Sequence, residues 1–177
     1  ILKAFGYLVL TLFLCGIAGG VYTWNYLFHD IPNLPSTESF WTDRREAAVE
    51  FVGMDGETIA IRGNRYGRVV EVESLPPHVR LAFIAAEDKR FYQHDGADYS
   101  AILRAVWSNF TSGRTVSGAS TLTQQVVKNF VLSSEQSLRR KAQEVRLARQ
   151  LELRLTKNEI LEIYINRMYF GARLYGI

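Results

Sequence analysis

The stretch LRRKAQEVRLARQLELRLTKNEILEIYIN, Leu138 to Asn166, decides the fold. Leu138, Ala142, Val145, Ala148, Leu151 and Leu155 recur in it at steps of three or four, which lays one apolar stripe along a long α-helix. Thr156-Lys157-Asn158-Glu159 then has the form of a capping box, whose threonine and glutamate satisfy orphan backbone N–H groups at a helix start, ahead of Ile160-Leu161. Toward the N-terminus the helical signals continue. The turn Gly118 to Ser120 leads into a helix running through Val131, with Ser120 near its start. Asp98 is a natural N-cap for a helix from Tyr99 to Phe110. Pro76 and Pro77 open a helix through Val79, Ala82, Phe83 and Ala86 that ends at Glu87-Asp88. The polar, glycine-bounded loop Gly113 to Gly118 is expected to be mobile over the site. The chain is therefore mainly α.

The first half differs. From Ala4 to His29 there is no Asp, Glu, Lys or Arg, which exceeds the roughly 20 apolar residues a membrane-spanning helix needs. The run ends in Tyr22, Trp24, Tyr26 and Phe28, an aromatic belt of the kind that sits at headgroup level, and it is longer than the apolar region of a cleaved signal peptide. Lys3 favours a cytoplasmic N-terminus, with the rest of the chain outside. Asp30 to Phe40, with Pro32 and Pro35, reads as an extended linker. Asp55-Gly56 between Ala48–Met54 and Thr58–Arg62 predicts a small β-hairpin, and Val69 to Val72 is expected to add a strand.

At 177 residues and a net charge of +3 the composition is that of a folded protein. Cys15 is the only cysteine, so no intrachain disulfide forms. Arg139, Arg140, Lys141, Arg146, Arg149 and Arg154 face only Glu144 and Glu152 in their segment, a basic stripe suited to an anionic partner. Nucleic acid is not indicated, because no nucleic-acid motif is present and the aromatics do not alternate with the basic residues.

Three groups carry chemistry. Arg140, Lys141 and Glu144 share one helical face; they are a solvated salt-bridge face or a carboxylate held by two cations that could also grip a diphosphate. Glu87, followed by Asp88, Arg90 and Phe91, sits at a helix C-terminus, where acidic residues are mildly unfavourable. A carboxylate placed against local preference suits a general base; His94 is its rival, read here as a hydrogen-bonded structural residue. Ser120, Thr121, Thr123, Gln124 and Gln125, with Lys128 and Asn129 close behind, form a dense run of donors and acceptors suited to sugar hydroxyls and a nearby phosphate.

EDKRFYQHDG (Glu87 to Gly96) resembles the E-D-x-x-F-x-x-H-x-G motif of glycosyltransferase family 51, the peptidoglycan glycosyltransferases of bacterial penicillin-binding proteins. GASTLTQQ with Lys128-Asn129 resembles the second motif of that family, and RKAQE with Leu151-Glu152 the third. KNEILEIYIN (Lys157 to Asn166) resembles the fourth and YFGARLYGI (Tyr169 to Ile177) the start of the fifth. Ala119 stands where a second glycine is usual.

The resemblance implies a lysozyme-like, mainly α glycosyltransferase domain at 75–177, behind an anchor at 1–29, a linker at 30–47 and a β accessory element at 48–74. It implies a single-pass protein of the bacterial cytoplasmic membrane whose catalytic domain lies on the outer, periplasmic side and polymerises lipid II. Glu87 would be the general base. Glu144 would organise the donor diphosphate with Arg140, Lys141 and Lys128, and Asp88, Arg90, Phe91, Ser120, Thr121, Gln124, Gln125 and Asn166 would contact substrate. No cofactor is required by the sequence; Mg or Mn at the diphosphate is compatible with the family, and no ligand cluster demands it. Implied partners are lipid II, the growing glycan strand, membrane lipid and cell-wall synthesis proteins.

The segments Val52 to Ala60 and Arg65-Tyr66-Gly67 resemble the bifunctional class A proteins. The expectation is therefore a fragment, ending inside the fifth motif, of a longer protein with a transpeptidase domain. Two other functions stay open: a lysozyme-like hydrolase or lytic transglycosylase that cuts glycan, and a non-catalytic membrane-anchored lipid-binding module.

Overall fold

The computed structural model describes residues 2–41, 49–63, 65–112, 119–132, 137–171 and 174–177. Helix α1, Leu2–Phe28, stands free of the rest along most of its length, and its stretch Lys3–Phe28 is long and apolar enough to cross a membrane. Its flanks are exposed apolar side chains such as Leu12, Phe13 and Val21, as a lipid-facing helix requires. The segment beyond it is not a mere spacer. Residues 37–41 form a short helix, α2 (Thr37–Trp41), and Leu34 and Phe40 are buried in the core. Prolines disfavour regular structure here, but they do not prevent the intervening apolar side chains from finding a core.

Strands β1 (Val49–Val52) and β2 (Thr58–Arg62) pair antiparallel around a turn in which Gly56 has φ +82°, so the Asp-Gly hairpin is present. Val69 to Val72 forms no strand. The side-chain amide of Asn166 substitutes for a neighbouring strand: it accepts from Val70 N (2.8 Å) and donates to Val70 O (2.8 Å), and Glu162 Oε2 accepts from Val72 N (2.9 Å). Val72 itself begins a single 3-10 turn, Val72–Ser74.

The helical body follows as α3 (Pro77–Glu87), α4 (Tyr99–Ser112), α5 (Leu122–Phe130), α6 (Leu138–Glu152) and α7 (Lys157–Arg167). Local chemistry sets the ends. Asp98 Oδ1 accepts from Ala101 N (2.8 Å) at the start of α4, and Thr156 and Glu159 form the complete capping box of α7. The N-cap of α5 is Thr121, accepting from Gln124 N (3.2 Å); Ser120 lies one residue outside and is left for other work. Helix α6 stops at Glu152, so Leu155 reaches the core from the connection to α7.

Helix α5 packs against both α6 and α7. Leu122, Val126, Val127, Leu147, Leu151, Ile160, Leu161, Ile163 and Ile165 are fully buried between them, each contributing about 1.5–3 kcal/mol of transfer free energy. The mainly helical expectation holds, with one further small sheet completed near the C-terminus. There β4 (Tyr169–Gly171) pairs antiparallel with β5 (Leu174–Tyr175), which pairs parallel with β3 (Arg65–Tyr66). Helix α4 contributes no buried residue; Tyr99, Leu103, Val106, Trp107 and Phe110 line one exposed apolar face. The loop 113–118, expected to move over the site, lies outside the described residues.

Candidate functional site

The site forms where the C-terminus of α3 meets the N-terminus of α5 and the first half of α6. Asp88 makes the first of these junctions. It is buried, its Oδ2 lies 2.9 Å from His94 Nε2, and the same oxygen accepts from Leu122 N (3.2 Å), an otherwise unpaired N–H in the first turn of α5. His94 is thus the hydrogen-bonded structural histidine that the sequence favours. Gly96 makes the second junction. Its φ is +82°, its carbonyl accepts from Thr121 Oγ1 (2.7 Å), and a Cβ there would lie 2.6 Å from Arg149 N and 2.7 Å from Ala148 C. Only glycine brings this loop so close to the backbone of α6.

These junctions leave Glu87 exposed at the end of α3, between two hollows. One, of about 280 Å³, is lined by Ala86, Glu87, Ser120, Gln124, Gln125, Lys128 and Glu144. The other, of about 180 Å³, runs past Glu87, Asp88, Arg90, Asp98, Arg104 and Ser120. Glu87, Ala86 and Ser120 border both, so the two form one cleft with the carboxylate at its middle. Gln125 Nε2 donates to Glu87 Oε2, a bond that fixes where the carboxylate points.

The wall on the α6 side is a cluster centred on Lys141. Its Nζ donates to Ser120 Oγ (2.6 Å), Gln124 Oε1 (2.9 Å) and Glu144 Oε2 (2.9 Å). Glu144 is 3% exposed, and Arg140 Nε lies 3.2 Å from its Oε1, an ion pair rather than an aligned hydrogen bond. A buried carboxylate needs such partners to stay charged. Lys141 keeps 40% of its side chain exposed, and Lys128 is exposed at the rim, so the cleft presents positive charge around an organised acid.

Of the predicted site residues, Glu87, Ser120, Gln124, Gln125, Lys128 and Glu144 line the first hollow, Asp88, Arg90 and Thr121 line the second, and Lys141 joins the first through its three hydrogen bonds. Arg140 reaches it through Glu144. Asp88 and Thr121 are largely buried and act as braces. Arg90 is tied to Asp98 and Ser100; the guanidinium holds the Asp98 carboxyl well below the usual carboxylate range, and the carboxylate in turn raises Arg90. Two residues are elsewhere. Phe91 is wholly buried under Lys157, whose Nζ lies 4.5 Å from its ring centroid, and Asn166 has its amide committed to Val70.

Tyr164 was not anticipated. Burial, and then the charge and hydrogen bonding of Glu87, push its hydroxyl up to about 12, so a buried phenol backs the exposed carboxylate. In sequence Tyr164 reads as one more apolar position of α7, and only the packing of α7 beneath α3 gives it away. Arg104 also enters the cleft from α4 without any local signal.

Among the described residues no group of three or more His, Cys, Asp or Glu is arranged to hold a metal ion. Glu144, the best-placed carboxylate, already has its two oxygens facing Lys141 and Arg140.

A family model described as Transglycosylase matches residues 55–177. The chain is 46% identical over 145 residues to penicillin-binding protein 1A of Neisseria cinerea, covering 82% of this chain and 18% of that protein. It is 41% identical over 169 residues to penicillin-binding protein 1A/1B of Bacillus subtilis, covering 96% of this chain and 18% of the relative. With penicillin-binding protein 1A of Escherichia coli it shares 44% identity over 146 residues, 82% of this chain and 17% of the relative. The chain thus spans under a fifth of the length of these relatives.

Proposed function

The chain belongs to the transglycosylase family, and from that premise we propose that it is the peptidoglycan glycosyltransferase part of a bacterial inner-membrane protein, polymerising lipid II. The observation that carries this reading is Glu87: an exposed carboxylate, oriented by Gln125, at the middle of a cleft whose one wall is the Lys141–Glu144–Arg140 cluster. Glu87 removes the proton from the 4-hydroxyl of the acceptor N-acetylglucosamine. That oxygen forms a bond to C1 of the donor N-acetylmuramic acid as the C1–O bond to the diphosphate breaks, with inversion. The departing undecaprenyl diphosphate keeps the electron pair, and Lys141, Arg140 and Lys128 offset the charge that develops on it.

Glu144 has a distinct task. It lowers the net charge of two adjacent cations and fixes their direction, so that they meet the diphosphate preorganised. Gln124 and Ser120 share the Lys141 ammonium and belong to the same hydrogen-bonded wall. Mg or Mn, where bound, would add positive charge at the diphosphate; with both Glu144 oxygens facing Lys141 and Arg140, the protein's own contribution there is the cations Lys141, Arg140 and Lys128.

Helix α1 as a single-pass anchor, with a cytoplasmic N-terminus and the catalytic domain outside, keeps the enzyme in the plane that holds its lipid substrate. The exposed apolar face of α4 suits a domain that works against a bilayer. Full-length protein in proteoliposomes with lipid II tests the reading: it predicts β-1,4-linked polymer and release of undecaprenyl diphosphate. Shortening of preformed glycan without elongation would mark a hydrolase or lytic enzyme instead, and binding without turnover a lipid-binding module.

A further inference from the structure

Helix α6 has a second face. Arg139, Gln143 and Arg146, at steps of four and three, point away from the cleft toward the end of α1. Gln143 Nε2 donates to Leu27 O (3.1 Å) and Asp30 Oδ1 (3.2 Å). Arg139 bonds Asp30 and His29 and lies 5.4 Å from the Tyr26 ring centroid. Asp30 is therefore used by Arg139 and Gln143. Arg146 is placed differently: its guanidinium carbon is 5.3 Å from the Trp24 ring centroid and 5.0 Å from that of Phe28, two rings 4.7 Å apart. Among the described residues no hydrogen bond or ion pair to another side chain accompanies this stacking.

Depth decides what meets that cation. About 20 helical residues fill the hydrocarbon layer, so a span that begins beside Lys3 leaves the hydrocarbon near Tyr22–Thr23. Trp24 and Phe28 then stand in the headgroup layer, and the stacked guanidinium stands with them. The two rings offer that guanidinium no acceptor oxygen, so its planar fork of N–H donors keeps the capacity to bind two phosphate oxygens. The anion available at that depth is the lipid phosphate.

We propose that Arg146, seated on Trp24 and Phe28, forms a binding site for the phosphate of a membrane glycerophospholipid, separate from the cleft and on the opposite side of α6. The proposal rests on α1 being a membrane anchor. A lipid bound there ties the back of α6 to the bilayer surface, while Arg140, Lys141 and Glu144 on its front face hold the cleft.

The test is a titration of full-length protein in detergent micelles with dioleoylphosphatidylglycerol, reading the rise in thermal midpoint. Dioleoylglycerol, with the same chains and no phosphate, is expected to give no comparable rise. Arg146→Met keeps an apolar stem over the rings and removes the donors; about a tenfold or greater increase in half-saturation is expected. Arg62→Met, on an exposed hairpin strand, is expected to leave half-saturation unchanged. Should Arg146→Met fail to fold, Arg146→Lys carries the test, with a severalfold weakening expected from loss of the planar fork. Equal stabilisation by dioleoylglycerol, or unchanged half-saturation in the Arg146 variants, overturns the proposal. So does a stronger Arg146-dependent response to undecaprenyl diphosphate, which would assign the site to the substrate carrier. Carbonate extraction of membranes reports on the anchor separately: release of the unsubstituted protein would remove the premise, whereas retention with no lipid response removes only the phosphate site.

Discussion

The Lys141–Glu144 pair offers a quantitative test of the cleft wall. At 2.9 Å the two charges attract by about 6 kcal/mol at an effective dielectric of roughly 20. Lys141 is 40% exposed, so water screens much of this, and a net coupling of about 2 kcal/mol is the reasonable expectation. Lys141→Met also strips the donor from Ser120 and from the buried Gln124, leaving Glu144 with Arg140 alone; about 3 kcal/mol of destabilisation follows. Glu144→Gln leaves two adjacent cations facing each other and costs about 2 kcal/mol. The double variant should therefore be more stable than the sum of the single losses by about 2 kcal/mol. Denaturant unfolding of the full-length protein in micelles, followed by circular dichroism, measures all four corners of the cycle. Losses that add to within about 0.5 kcal/mol would refute the reasoning, because the pair would then be adjacent without being coupled.

Three further predictions follow from the braces around the cleft. Asp98 has its folded-state pKa depressed, so its pairing with Arg90 stabilises the fold above the unfolded value of 3.8 and is lost as pH falls below it; Asp98→Asn should flatten that acid limb in an unfolding titration. Gly96→Ala should destabilise strongly, by about 3 kcal/mol or more, since its methyl would meet the backbone of Arg149 and Ala148 at a positive φ; yield and thermal midpoint report it. Tyr164→Phe should remove a late phenolate transition from the absorbance titration, because the raised hydroxyl ionises near 12 rather than 10. For the same reason the fold loses stability between those values as pH rises.

What could be read from the sequence was local. Asp98 capping α4, Thr156 and Glu159 capping α7, and Asp55-Gly56 turning the hairpin each depend on residues within a few positions of one another. The apolar stripe of α6 was equally legible as far as Glu152, the last helical residue, whose carboxylate accepts from Thr123 and Lys157. Contacts across long sequence separations were not. No periodicity announces that Asn166 will act as a strand partner for Val70, and its polarity within a motif makes it look like a ligand residue instead. Phe91 misleads in the same way: it sits among charged residues, yet its ring is core. Leu34 and Phe40 escaped notice because the prolines around them signal a linker, whereas burial depends on what the chain lies against. The residues themselves suggested two groups of polar chemistry. That Lys141 joins them, through Ser120, Gln124 and Glu144, depends on the packing of α5 on α6.

The most direct test of the central claim is the turnover of Glu87→Gln on lipid II in proteoliposomes, measured beside the unsubstituted full-length protein with substrate binding monitored in parallel. Glutamine keeps the shape of the side chain and can still meet Gln125, so the cleft should bind donor and acceptor much as before. Loss of the base should lower kcat by about 10²–10⁴-fold with KM little changed. Polymer formed at a normal rate by Glu87→Gln would contradict the account and move the base elsewhere in the cleft.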